Sequence, residues 1–213
     1  MTRPFTDRAE AGRHLAGLLT GYAGSDDVVV LALPRGGVPV AAPLAEALDA
    51  PLDVLVVRKL GVPGQPELAM GAIAGVADAV ETVRNERVLA VARVAPQQFD
   101  DVHARELAEL RRRESAYRQG RPATAVRDRV VVLVDDGLAT GSTMRAAVAA
   151  VRSRQPARVV VAVPVGSQEA CRALREDADE VVCAWTPKPF SAVGQGYLDF
   201  RQTTDDEVRA LLQ

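Results

Sequence analysis

Two adjacent carboxylates, Asp135 and Asp136, follow a run of apolar residues and precede Gly137-Leu138-Ala139-Thr140-Gly141-Ser142-Thr143. Glycines permit unusual backbone angles, so free N–H groups in such a turn can converge on an anion. Thr140, Ser142 and Thr143 add hydroxyl donors for phosphate oxygens, and a helix starting there adds the positive end of its dipole. The acids would repel that phosphate, so they need hydroxyls or a cation as partners. A vicinal diol suits groups that only accept hydrogen bonds. A phosphate cradle beside a diol-binding acid pair describes a site for a ribose 5-phosphate.

Such a site needs a strand to deliver it and a helix to receive it. Val130 to Val134 shows no polar alternation, as expected of a strand buried on both faces of a parallel sheet. A helix follows, with Ser142 or Thr143 as its cap and Gln155-Pro156 as its stop. Val28 to Leu33 repeats the pattern and ends in Pro34-Arg35-Gly36-Gly37 before a helix from Val38 to Leu48. Paired glycines let backbone N–H groups approach a pyrophosphate, and Arg35 supplies a forked cation for it. Apolar strands at 158–163 and 180–184 flank a helix at 167–176 capped by Ser167, with a turn at Pro164-Val165-Gly166. This alternation predicts an α/β fold with a doubly wound, mostly parallel sheet. Its ligands should sit outside the carboxyl ends of the strands, where the strand order reverses.

The remaining segments are read around that core. Phe5 to Thr20 predicts an amphipathic helix capped by Thr6, with Phe5, Ala9, Leu15, Leu18 and Leu19 to pack. Leu52 to Val57 is a third strand, and Arg58-Lys59-Leu60-Gly61-Val62-Pro63-Gly64-Gln65-Pro66-Glu67 is a glycine- and proline-rich loop placed to act as a mobile lid. Met70 to Ala74 and Ala79 to Val83 predict a hairpin. Asn85 to Val94 and Pro96 to Gln119 form a helical insertion, apolar along Phe99, Val102, Leu107, Leu110 and Tyr117. The interspersed acids Glu106, Glu109 and Glu114 make Arg111-Arg112-Arg113 a solvated face, and His14 and His103 read as helix-surface residues. Trp185 to Phe200 gathers aromatics able to cover a planar base, with Trp185, Phe190 and Tyr197 as candidates, and Asp205 to Leu212 closes the chain as a short helix. The division is a single domain: a core over 26–75 and 128–185, a lid and insertion over 58–127, and a hood over 185–213.

Composition narrows the class. At 213 residues and 48% hydrophobic, the chain can bury one full core. A net charge of −2 gives no general attraction to nucleic acid or an anionic membrane. Cys171 and Cys183 form no metal-ligand spacing with the two histidines and read as reduced structural thiols. Met1 to Ala11 carries Arg3, Asp7, Arg8 and Glu10 where a leader needs an apolar run, and the apolar stretches are strand-sized, so a cytoplasmic protein is expected.

The stretch from Val131 to Thr143, VVLVDDGLATGST, resembles the motif by which type I phosphoribosyltransferases bind 5-phosphoribosyl 1-pyrophosphate (PRPP). It lacks the GxxxxGK[ST] of a P-loop and the GxGxxG of a dinucleotide fingerprint. The resemblance implies transfer of the phosphoribosyl group to a nitrogen base with release of pyrophosphate, Mg²⁺ as cofactor, and a homodimer. It implies that Asp135 and Asp136 hold the ribose and the metal, that Ala139 to Thr143 bind the phosphate, and that Arg35, Gly36, Gly37, Arg58 and Lys59 serve pyrophosphate. Arg35 and Lys59 then join the acids as catalytic residues, with Glu67 as a further loop candidate. Ala139 stands where the 6-oxopurine enzymes place an acid, and GLATGST is closer to the adenine-type LLATGGT; the acceptor base stays open. The same fold also serves non-catalytic PRPP-binding regulators, but no helix-turn-helix segment is evident here. A PRPP synthetase would need a longer chain and an ATP site.

Overall fold

The computed structural model describes residues 4–213, so the start of the Met1 to Ala11 stretch read above lies outside the described residues. In chain order the elements are α1 (Arg8–Leu18), β1 (Val28–Ala32), α2 (Gly37–Leu48), β2 (Leu52–Val54), β3 (Val57–Val62), β4 (Gln65–Val76), β5 (Ala79–Arg84), α3 (Glu86–Val91), α4 (Pro96–Arg118), β6 (Val130–Val134), α5 (Ser142–Arg152), β7 (Arg158–Val165), α6 (Gln168–Leu174), β8 (Glu180–Trp185) and α7 (Asp205–Leu211).

The β-branched runs form the centre. Five strands pair in the order β2-β1-β6-β7-β8, all parallel, with Val28 to Ala32 in register with Val130 to Val134. Alternate side chains leave the sheet on opposite faces. Val28, Val30, Val132, Val134 and Val160 pack with Leu15 of α1, with Leu19 at its end, and with Val38, Ala41 and Leu44 of α2. Val29, Leu31, Leu133 and Val161 pack with Met144, Ala147 and Val151 of α5 and with Leu174 of α6. The sheet is therefore covered on both faces, which is why its strands lack polar alternation. Among the described residues no helix is long and apolar enough to cross a membrane.

Several boundaries differ from the sequence reading. The third strand stops at Val54, and Val57 already belongs to a second, antiparallel sheet of β3, β4 and β5. The expected loop from Arg58 to Glu67 is a β-hairpin: Arg58 to Val62 lies in β3, Gln65 opens β4, and Pro63-Gly64 makes the turn with Gly64 at φ +79°. Its register shifts at Gly61, where a Cβ would lie 2.7 Å from the Pro66 carbonyl oxygen. Glycine and proline here mark a bulge and a tight turn inside paired strands. The hairpin expected from Met70 to Val83 is present, longer, as β4 and β5. The insertion is helical as read, with Phe99, Val102, Leu110 and Tyr117 buried. The expected turn at Pro164 is still strand, since β7 runs through Val165.

The first helix also starts later. Its N-cap is Asp7, whose carboxylate accepts from the Glu10 amide at 2.8 Å, while Thr6 is exposed ahead of it. Leu18 is exposed and Arg8 is buried, the reverse of the expectation from residue type. Asp7→Ala is expected to cost about 1 kcal/mol in chemical denaturation, and Thr6→Ala under about 0.5 kcal/mol.

Candidate active site

The strand order reverses between β1 and β6: the chain leaves β1 for β2 on one side and β6 leads to β7 and β8 on the other. Turns that follow two such strands diverge and open a crevice between them. Pro34 to Gly37 follows β1 and Asp135 to Gly141 follows β6, so the fold brings these two motifs to one edge.

The turns are in close contact. A Cβ at Gly36 would sit 2.0 Å from Asp136 Oδ2, and one at Gly37 would sit 2.6 Å from the Val134 carbonyl oxygen. Only glycine lets the β1 turn lie against the acid pair. Gly137 is equally confined, with Val193 Cγ1 2.4 Å from the position of a Cβ. Arg35 is turned to α7, its Nη1 3.8 Å from Asp205 Oδ1, and that carboxylate oxygen also accepts from the Tyr117 hydroxyl at 2.8 Å.

Asp135 Oδ1 accepts from the Asp136 amide at 2.8 Å. Burial, and after it the charge of Asp136, pushes the Asp135 carboxyl well above its ordinary value. Burial raises Asp136 too, against the lowering effect of Arg8. Arg8 reaches Asp136 Oδ2 through both Nε, at 3.0 Å, and Nη2, at 2.8 Å. The two side chains are only 10% and 17% exposed, so solvent screens this pair little. Tyr197 completes the group by donating its hydroxyl to the Asp136 carbonyl at 2.6 Å.

The loop beyond the acids is tied to the start of α6. The Leu138 amide donates to the Val165 carbonyl, the Ser167 amide donates to the Leu138 carbonyl, and the Ser167 hydroxyl donates to the Ala139 carbonyl, each at 2.8 Å. Gly141 takes φ +76° and is the N-cap of α5, so Ser142 and Thr143 are first-turn residues; neither caps the helix. Ala139, Thr140, Ser142 and Thr143 are exposed. The Ser142 amide makes only a long bond to Thr140 Oγ1, at 3.4 Å, and the Thr140 and Ser142 hydroxyls lie 3.2 Å apart; lacking helical partners, the first-turn amides can exchange such local bonds for an anion.

Lys59 and Arg58 sit across a cavity of about 830 Å³ whose lining also includes Ser142 and Thr143. Lys59 Nζ is 3.2 Å from the exposed Glu67 carboxylate, and the Arg58 guanidinium binds Glu106 of α4 with Nε at 3.0 Å. The aromatics expected as a hood are spread. Trp185 and Phe190 are half-buried and pack on a small cluster that includes Phe5 and Val165. Tyr197 is buried, its ring stacked 5.0 Å from Phe200 and tilted 6.0 Å from Phe5. It is 6% exposed and supports the acid pair through its hydroxyl.

The sequence reading missed Arg8. Its signal was present: Arg8, Ala11 and Leu15 share one helical face, and an arginine on an apolar stripe needs a buried partner.

Among the described residues there is no group of three or more His, Cys, Asp or Glu able to hold a metal. A Mg²⁺ that keeps most of its ligands from substrate oxygens and takes one or two carboxylates fits the Asp135–Asp136 pair.

Residues 6–198 match the model of the phosphoribosyl transferase domain. A protein found in two strains of Mycobacterium tuberculosis, provisionally named a phosphoribosyl transferase, is 50% identical over 208 residues, covering 98% of this chain and 46% of its own length. The chain thus spans about half the length of the curated relatives it matches. The crystal structure of TT1426 from Thermus thermophilus is 47% identical, with a TM-score of 0.84 and coverage of 98% of this chain and 97% of that one.

Proposed function

We propose, from the premise that this chain belongs to the phosphoribosyl transferase domain family, that it moves the 5-phosphoribosyl group of PRPP to a nitrogen base and releases pyrophosphate. One observation carries the reading: an acid pair and an exposed hydroxyl-and-amide loop meet a glycine turn at the point where the strand order reverses. The first-turn amides of α5 with Thr140, Ser142 and Thr143 bind the 5-phosphate. Asp135 and Asp136 accept from the ribose hydroxyls. The turn at Gly36-Gly37 lets backbone N–H groups approach pyrophosphate, and Arg35 and Lys59 supply charge to it as it leaves. The base nitrogen attacks C1 through an oxocarbenium-like state, so no covalent nucleophile on the protein is needed. Asp135 and Asp136 would hold Mg²⁺, which when bound would supply positive charge against that of the leaving group. Ala139 has no proton to give a base, in keeping with an acceptor that needs no acid at that position. In this reading the protein is a homodimer and the β3–β4 hairpin closes over substrate to exclude water.

The hairpin cations are expected to separate. Lys59→Ala should lower turnover about a hundredfold and leave melting unchanged, because its ion pair with Glu67 is exposed. Arg58→Ala should lower the melting temperature, because it leaves Oε2 of Glu106, a side chain only 13% exposed, without its partner while Arg105 holds only Oε1. Pyrophosphate release and thermal melting on the same preparations check both.

A pyrophosphate-release screen with PRPP, Mg²⁺ and a panel of purine, pyrimidine and other nitrogen bases tests the activity. Release dependent on one class of base is the expected result. PRPP binding without release for any base would replace the transferase by a PRPP-sensing regulator.

A further inference from the structure

The acid pair has four carboxylate oxygens, and the fold occupies two. Asp135 Oδ1 accepts from the Asp136 amide, and Asp136 Oδ2 takes both bonds from Arg8. Asp135 Oδ2 and Asp136 Oδ1 accept nothing from the described residues, yet no buried side-chain oxygen or nitrogen among those residues lacks a partner. Neither oxygen is therefore sealed from solvent, although the two carboxylates are largely desolvated.

Arginine commonly grips the two oxygens of a carboxylate as a fork; here Nε and Nη2 converge on one. Arg8 is fixed in that pose from other directions. Its Nη1 donates to the Arg201 carbonyl at 2.8 Å, and its guanidinium carbon lies 4.1 Å from the centre of the Phe200 ring. Gly36 packs against the same Asp136 oxygen from the β1 turn. The rotation of Asp136 is thus settled before any ligand arrives, which lowers the ordering cost of binding.

We propose that Arg8 is a positioning residue that apportions the acid pair, leaving one carboxylate oxygen on each aspartate for each hydroxyl of a vicinal diol. This rests on the ribose 5-phosphate reading above. It makes Arg8, contributed by the first helix, a determinant of ribose over 2-deoxyribose. Without it Asp136 turns freely and the second hydroxyl loses its prepared acceptor.

The test is calorimetric titration of D-ribose 5-phosphate and 2-deoxy-D-ribose 5-phosphate, each with Mg²⁺, into the wild type, Arg8→Lys and Arg8→Gln. Lysine keeps the charge but not the fork. The wild type is expected to prefer the ribose form about tenfold or more, the worth of one hydrogen bond to a charged group. Both variants should lose most of that preference while binding the deoxy sugar nearly as well as the wild type. A merely structural role for Arg8 would weaken both sugars alike, and that result, or a preference kept in both variants, overturns the proposal. If neither variant melts cooperatively, Phe200→Leu, which loosens Arg8 and reaches Asp136 only through Tyr197 at its backbone carbonyl, must lower the preference or the proposal falls. A wild type that binds neither sugar would remove the ribose 5-phosphate reading as well, whereas binding with an unchanged preference in the variants removes the role of Arg8 alone.

Discussion

Asp135→Asn is expected to raise the melting temperature of the ligand-free protein at pH 7 while weakening its binding of PRPP with Mg²⁺ about tenfold to a hundredfold. The two effects share a cause. Asp135 is desolvated and beside a second carboxylate, so its folded-state pKa lies well above that of the unfolded chain. A raised carboxylate pKa means that the folded state holds the proton more tightly, and stability falls as pH climbs from the unfolded value near 4 through the folded one. At neutral pH the ionised group costs stability. Asparagine keeps an acceptor for the Asp136 amide and removes the charge, so its gain should be present at pH 7 and vanish below about pH 4. Melting curves at the two pH values, beside a PRPP titration, separate this from a loss of fold. A variant less stable at pH 7, or one that binds as the wild type does, would contradict it.

Asp53→Ala is expected to cost about 3–5 kcal/mol in urea denaturation, the largest stability loss of any single change considered. Asp53 is 5% exposed in the middle of the three-residue strand β2. Its carboxylate accepts from Arg118 Nε at 3.1 Å, the Thr124 amide at 2.9 Å and the Val54 amide at 2.7 Å. Arg118 also binds Glu114 and the Val54 carbonyl. Removing the aspartate would leave a nearly buried guanidinium undercompensated and two amides without an acceptor. Asp53→Asn, which retains an amide acceptor, should lose less. Equal stability of Asp53→Ala and the wild type would show that α4 is anchored elsewhere.

How much of this was legible before folding depended on the range of the interaction. The parallel core was readable because each buried strand is a β-branched run that no other local structure uses as well. The acids and the loop were readable because they lie within one strand-to-helix junction, and their family resemblance to PRPP-binding enzymes agrees with the matched domain model. The hairpin of β3 and β4 was not, because Pro63-Gly64 and the bulge at Gly61 are written with the same residues as an open loop. Register decides between them, and register is a property of two strands together. Arg8 was hidden for the same reason: its partner Asp136 lies 128 positions away. The cap of α5 was misplaced because Gly141, in a left-handed conformation and with no side-chain acceptor, stands where a hydroxyl is the commoner choice. The bond from the Tyr197 hydroxyl to the Asp136 carbonyl was hidden likewise, its partners lying 61 positions apart.

The most direct measurement is an isothermal titration of PRPP with Mg²⁺ into the wild-type protein, repeated with ribose 5-phosphate as a competitor. A site made by Asp135, Asp136 and the loop from Ala139 to Thr143 should give saturable binding at one PRPP per chain, weakened by the competitor. Absence of binding, or binding that ribose 5-phosphate leaves untouched, would contradict a ribose 5-phosphate site at the junction of β6 and α5.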